Sequence, residues 1–302
     1  MTLIAILLVT ISAFAHAFWN LLGKRQNPTV AFFFVASLFA AVCFSPLLLI
    51  FRHTIPLIPE SVWLWLALTS LFETVYYIGL AGAYRHGDMS LAYPLARALP
   101  VILVALVSLS LGLGKPLNSI GVAGILAVAA GCLILPLHNP GEIRLSNYLN
   151  TCCLLACMAA VGTTGYTLVD NQALLELRSV PVMGLSKTEL AYLYLALESI
   201  TIPVFMAAYI IFSAPERREL GQVWQSGKRI AFLTGLLIIG AYGLVLTSMA
   251  YVSNISYIAA FRQLSIPLGA ILGILVQKEP AHAPKILGIV IIFAGLVMIM
   301  LV

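Results

Sequence analysis

The sequence predicts an all-α integral membrane protein: ten transmembrane helices arranged as two inverted five-helix repeats. Composition, the lengths of the apolar runs and an internal repeat carry that prediction. Of the 302 residues, 62% are apolar and 9% charged, and the mean hydropathy is +1.05. Soluble domains use roughly a quarter charged residues, so this composition cannot cover a water-facing surface. The net charge of +5 is scattered through short loops. That pattern reads as a topology signal, and no nucleic-acid patch is expected.

Apolar runs punctuated by charge, Pro and Gly predict helices at 2–23, 29–51, 61–83, 89–112, 117–137, 147–170, 188–212, 229–252, 255–277 and 284–302. Each approaches the roughly 20 residues that span hydrocarbon. The runs are continuously apolar instead of alternating, which excludes a β-barrel. The first run contains Ala13-Phe14-Ala15 and Ala15-His16-Ala17, which have the shape of signal-peptidase sites. No basic residue precedes it, so it reads as a span and not as a cleaved leader. Cys43, Cys132, Cys152, Cys153 and Cys157 all lie in apolar runs and read as small packing residues. No metal or cofactor site is expected.

The loops after helices 1, 3, 5, 7 and 9 hold Lys24, Arg25, Arg85, Arg144, Arg217, Arg218, Lys228, Arg229, Lys278 and Lys285. The opposite loops hold Arg52, Lys115, Arg178 and Lys187. The excess places both termini outside the cytoplasm.

Pro116, Gly124 and Gly131 recur as Pro280, Gly288 and Gly295 at one offset of 164. Arg97 recurs as Arg262 at 165, and Ala83-Tyr84 as Ala250-Tyr251 at 167. The expected units are 2–137 and 147–302. An odd number of crossings inserts the second copy upside down. Inverted repeats are frequent in secondary transporters, which hold their solute at the repeat interface near mid-bilayer.

Two stretches carry a family resemblance. Leu91-Ala92-Tyr93-Pro94-Leu95-Ala96-Arg97-Ala98-Leu99-Pro100 leads into Gly114-Lys115-Pro116. Ala259-Ala260-Phe261-Arg262-Gln263-Leu264-Ser265 leads into Gln277-Lys278-Glu279-Pro280, then Leu287-Gly288 and Ala294-Gly295-Leu296. Both resemble the ends of EamA repeats in the drug/metabolite transporter superfamily, and Trp19-Asn20 resembles that family's tryptophan in helix 1. The resemblance spans nearly the whole chain as two units and implies a ten-helix carrier of small metabolites. Glu279 matches the family's acidic residue after helix 9, whereas Lys115 stands where the first unit usually has that acid.

Charge inside a span costs about 2.5–3.5 kcal/mol on insertion scales, so Glu73, Arg97, Glu198 and Arg262 are the leading site candidates. Glu73 and Arg97 lie 13 and 11 residues from one face, and Glu198 and Arg262 lie 10 and 8 residues from the other. At about 1.5 Å rise per residue each pair agrees in depth within about 3 Å. Two ion pairs are therefore permitted, either locking helices or meeting solute and protons. His16, Trp19 and Asn20 share a helix face at i, i+3 and i+4, a polar face suited to a cavity wall. Tyr76 and Tyr77 lie one turn beyond Glu73, Tyr242 lies in helix 8, and Tyr93 and Tyr257 flank the arginines. Aromatic rings of this kind can surround cations, whereas Tyr84 and Tyr251 read as interfacial anchors. Pro94, Pro100, Pro203 and Pro267 each remove a backbone donor inside a span and predict kinks.

The site predicted for a solute is thus His16, Trp19, Asn20, Glu73, Tyr77, Tyr93, Arg97, Glu198, Tyr257 and Arg262. The expected activity is alternating-access transport of a small polar organic metabolite, with the lipid bilayer and coupling protons as partners. The location expected is a cell membrane, a bacterial inner membrane, with multiple passes. A lipid-linked-substrate flippase subunit is one alternative, and an intramembrane enzyme or scaffold another. No enzyme motif is present.

Overall fold

The computed structural model describes residues 1–23, 29–86, 89–135, 137, 150–181, 184–277 and 280–301, without the side chains of 19–23, 84, 89–94, 273, 276 and 277. Lys24, Arg25, Arg144, Lys278 and Glu279 lie outside the described residues. So do the side chains of Trp19, Asn20, Tyr84 and Tyr93.

Among the described residues regular structure is entirely helical. In order come α1 (Leu3–Gly23), α2 (Val30–Phe44), α3 (Pro46–Ile50), α4 (Glu60–His86), α5 (Met89–Ser110), α6 (Ser119–Ile134) and α7 (Thr151–Arg178). They continue as α8 (Lys187–Phe212), α9 (Ala214–Gln222), α10 (Lys228–Ser248), α11 (Ile255–Phe261), α12 (Ser265–Gln277) and α13 (Ala283–Met300). Seven helical stretches are long and apolar enough to cross a membrane, and three shorter apolar ones cover Leu3–Phe18, Leu95–Ser110 and Ser119–Ile134.

Polar caps start many of these helices. Thr29, Asn118, Asn150 and Asn254 each accept a hydrogen bond from a first-turn amide of α2, α6, α7 and α11. Ser186 and Glu189 form a reciprocal capping box at α8, which satisfies two donors that the helix leaves open.

Four boundaries differ from the expected ones. The 29–51 run bends at Ser45-Pro46, dividing α2 from α3, because proline cannot continue the ladder. The run expected at 147–170 extends through Asn171-Gln172-Ala173 to Arg178, so Asp170 lies well inside a helix. The segment between α8 and α10, read as a loop, folds as α9 and a π-helical turn at Val223–Gly227. The 255–277 run breaks into α11 and α12 through a 3-10 turn at Arg262–Leu264. Pro267 has no N–H for the Gln263 carbonyl four residues back. At the break Gln263 Nε2 donates to Ala259 O (3.1 Å) and Ser265 Oγ to Arg262 O (3.1 Å). Pro203, by contrast, is carried inside an unbroken α8.

Helices pack through their small residues and turn large ones outward. On α1, Ala5, Val9, Ala13 and Ala17 are buried while Leu3, Leu7, Ile11, Phe14 and Phe18 are each at least half exposed. That is the inverse of a water-soluble helix and is how membrane helices approach closely. Glycines sharpen the effect. A Cβ at Gly124 would lie 2.8 Å from Gly295 O, and one at Gly131 would lie 2.9 Å from Gly288 O, so α6 and α13 run antiparallel in near-backbone contact. Gly79 and Gly162 do the same for α4 and α7, each Cβ falling 2.6 Å from a backbone nitrogen of Ala159 or Tyr76. A Cβ at Gly269, by contrast, would meet nothing within 4 Å among the described residues. The first half of the chain thus packs mainly on the second: α1 on α10, α2 on α8 and α10, α4 and α5 on α7, α6 on α13.

Two polar fastenings tie the ends. Glu216 of α9, buried, pairs with Arg85 at the end of α4 (2.8 Å) and accepts from the Ala31 amide at the start of α2 (2.8 Å). At the other end Lys115 N donates to Ser253 O (2.9 Å) and Asn254 Nδ2 to Lys115 O (2.9 Å). Gly114, at φ +82°, makes that turn accessible without a Cβ penalty.

A Cβ at Gly235 of α10 would overlap the Ala36 carbonyl of α2, whereas one at Gly240 meets nothing within 4 Å. Gly235→Ala is therefore expected to cost about 1–3 kcal/mol, and Gly240→Ala nothing. Thermal unfolding of both variants in detergent checks this. Equal midpoints would mean that the α2–α10 seam yields freely.

Candidate functional site

Where the halves meet, a cavity opens between α1, α2, α4, α8 and α10. Small residues make the space: Ala13, Ala36, Ala40 and Gly235 line it. Into it project His16, Glu73, Tyr77, Arg97, Glu198 and Arg262, six of the residues predicted from the sequence. Chain-distant charges are brought together because each rides a helix whose opposite face is apolar, so only the interior can receive them.

Tyr257, the remaining predicted residue whose side chain is described, is not part of this wall. It is 2% exposed and packs against α6, where a Cβ at Gly121 would lie 2.7 Å from its hydroxyl. Five residues separate it from Arg262, which at 3.6 residues per turn points it well away from the arginine. It is a packing residue.

The Glu198–Arg262 pair that matched depths permitted is not formed. Arg262 Nη2 donates to Tyr166 Oη (3.1 Å) and Nη1 to Thr167 Oγ1 (3.5 Å). Its guanidinium carbon sits 5.6 Å from the Tyr166 ring centroid and 5.3 Å from that of Tyr242. Those two rings meet edge to face at 5.6 Å, forming a cation–π cradle. Glu198 is 0% exposed, and among the described residues neither of its carboxylate oxygens has a hydrogen-bond partner, nor does Oε2 of Glu73.

Behind the cradle lies Asp170 of α7, also fully buried. Tyr194 of α8 donates to its Oδ1 (2.9 Å) and Tyr242 of α10 to its Oδ2. Asp170 thus joins three helices and fixes the ring beneath Arg262. Tyr166, one turn earlier on the same face of α7, supplies the other ring. Neither residue was predicted. Asp170 stands at the end of the span expected at 147–170, and Tyr166 one turn before it. Their i, i+4 spacing within a run that remains helix-compatible to Arg178 is the signal that could have found them.

The aromatic wall continues through Tyr76, which meets Tyr166 edge to face at 6.0 Å, to Tyr77, which leans against Tyr76 at 5.0 Å and stacks on Phe33 at 4.7 Å. A second cavity meets the first across His16, Tyr76, Arg97, Tyr166 and Arg262, which line both.

The class this defines is a polytopic helical membrane protein with a polar cavity at its centre. Residues 3–137, somewhat under half of the chain, match the EamA-like transporter family. No curated protein matches the sequence. A protein of known crystal structure is similar in fold, with a TM-score of 0.68 at 18% sequence identity, over 98% of this chain and 96% of that one. At that identity the likeness speaks for the fold alone.

Replacing Asp170 by Leu strands the Tyr194 and Tyr242 hydroxyls and is expected to cost about 1–3 kcal/mol for each. Asp170→Asn keeps an acceptor and should cost less. Detergent thermal melts rank the two. A Leu variant as stable as the parent would show that the cluster holds nothing together.

Proposed function

We propose that the chain is a secondary transporter that carries a small polar organic solute by alternating access. Its ten membrane helices form two inverted repeats, 2–137 and 147–302, and both termini lie outside the cytoplasm. The observation that carries this reading is the central cavity. It lies between the halves, and it gathers Glu73, Arg97, Glu198 and Arg262 in a wall of tyrosines, serines and small apolar residues. Intramembrane charges of this kind mark solute or ion pathways, and inverted-repeat carriers bind at that interface.

The inverted repeat is supported by the packing. Under exchange of helices 1 and 6 and of 3 and 8, the α1–α10 contact becomes the α4–α7 contact. The equivalent glycines also cross-pair, Gly124 with Gly295 and Gly131 with Gly288. Gradient energy would enter through the carboxylates, with protons as the simplest coupling ion.

Purified protein in proteoliposomes, offered a panel of labelled amino acids, amines, carboxylates and sugars under a pH gradient, is expected to give saturable flux of at least one solute. Flux equal to that of empty liposomes across the panel overturns the transport reading. A reporter active only in the cytoplasm, fused after Val302, is expected to stay silent, and a bright fusion reverses the orientation.

A further inference from the structure

We infer that the transported solute is dipolar, with a protonated amine seated on Glu198 and Glu73 and an anionic group facing Arg97 and Arg262. The inference rests on the transport-site reading above and deepens it to a substrate class. Its first ground is an imbalance of donors. Both oxygens of Glu198 and Oε2 of Glu73 are buried at the cavity without a hydrogen-bond partner among the described residues, and carboxylates are acceptors only when ionised. An occupant with N–H donors would complete them. A quaternary ammonium has none to give, and a hydroxyl gives one without the charge. A primary ammonium gives three with it.

The second ground is the wall around those carboxylates. Tyr76, Tyr77, Tyr166 and Tyr242 all line the cavity, and aromatic faces attract a cation as it leaves water.

The third ground is the adjoining cavity. Arg97 and Arg262 line it together with Thr163 and Thr167, and among the described residues no carboxylate does. The tyrosine and threonine contacts of Arg262 engage two of its nitrogens, while a guanidinium carries five N–H donors, so it can still meet an anion. Acceptors without donors thus occupy one side of the arginine pair, and a basic, acid-free space the other. A solute with charge of one sign only would leave one of the two unmatched.

The test is direct binding to the full-length protein in detergent, read as a thermal shift. The probes are the α-amino acids and, on matched carbon skeletons, their decarboxylated amines and deaminated carboxylates. Hexoses serve as uncharged probes, and taurine and phosphoethanolamine carry the same dipole with other anionic groups. At least one dipolar compound is expected to stabilise the protein, with its matched amine and carboxylate at least about tenfold weaker. Glu198→Gln is expected to weaken the dipolar ligand and the amine while leaving the carboxylate unchanged, and Glu73→Gln serves where that variant does not fold. Tightest binding by an uncharged compound, an amine as tight as its amino acid, or no shift with any dipolar compound overturns the inference. The two readings fail separately. A dipolar ligand that binds but is never carried across proteoliposomes removes the transport reading alone, and flux of an uncharged solute alone removes this one.

Discussion

Arg262 carries a charge it cannot shed, at the break between α11 and α12 and inside a bundle of apolar helices. Much of the centre of the molecule is arranged around that fact. Two tyrosine faces and a tyrosine hydroxyl receive the guanidinium. The ring of Tyr242 is in turn held by Asp170, which Tyr194 also grips. Helices α7, α8 and α10 are thereby committed to one arrangement around a residue of the α11–α12 break. The break itself is compatible with burial because Gln263 and Ser265 bond carbonyls around it. Exposed polar backbone at that depth would otherwise cost several kcal/mol per group.

The same constraint explains why the interior is built from small residues. Lipid tails are as apolar as leucine, so burying leucine between helices gains little over leaving it in lipid. What holds helices together is close approach, and the α6–α13 and α4–α7 seams reach it through glycines whose Cβ would strike a neighbouring backbone. Between these tight flanks, alanines and a glycine on α1, α2 and α10 leave the space of the central cavity. Tight flanks and an open middle follow from one choice of residue size, applied with different partners opposite.

The helical membrane fold was legible in the sequence because long apolar runs have few other physical outcomes. The cavity residues His16, Glu73, Arg97, Glu198 and Arg262 were legible for a related reason, since a charge or imidazole in such a run must face inward. What was not legible depended on partners. Matched depth could not distinguish a Glu198–Arg262 bond from an arginine given over to tyrosines, because depth fixes one coordinate and leaves rotation about the helix free. Asp170 was hidden by a boundary drawn at the last strongly apolar residues, although the polar continuation of α7 remains helical to Arg178. Tyr257 was over-read, since nearness to Arg262 along the chain says nothing once helical phase turns the two apart.

The fastenings at the two ends bear on how such a cavity could be reached from either side. At one end Glu216 draws together α4, α9 and the first turn of α2 through Arg85 and the Ala31 amide. At the other, the Gly114–Lys115 turn is bonded to Ser253 and Asn254, and Glu176 of α7 accepts from Trp65 of α4 (2.9 Å). On the alternating-access proposal, opening one end exchanges that end's bonds for water and leaves the other set intact. The exchange need not be costly. The Arg85–Glu216 pair, exposed on the arginine side and buried on the carboxylate side, gains little net stability because its attraction is offset by desolvation, and separating it into water recovers that desolvation. Removing the arginine alone is different, since the carboxylate then stays buried without its partner. Polar latches of this kind hold an end closed specifically without holding it closed strongly. Apolar seams at α4–α7 and α6–α13, where hydration brings no such recovery, are suited to remain closed throughout.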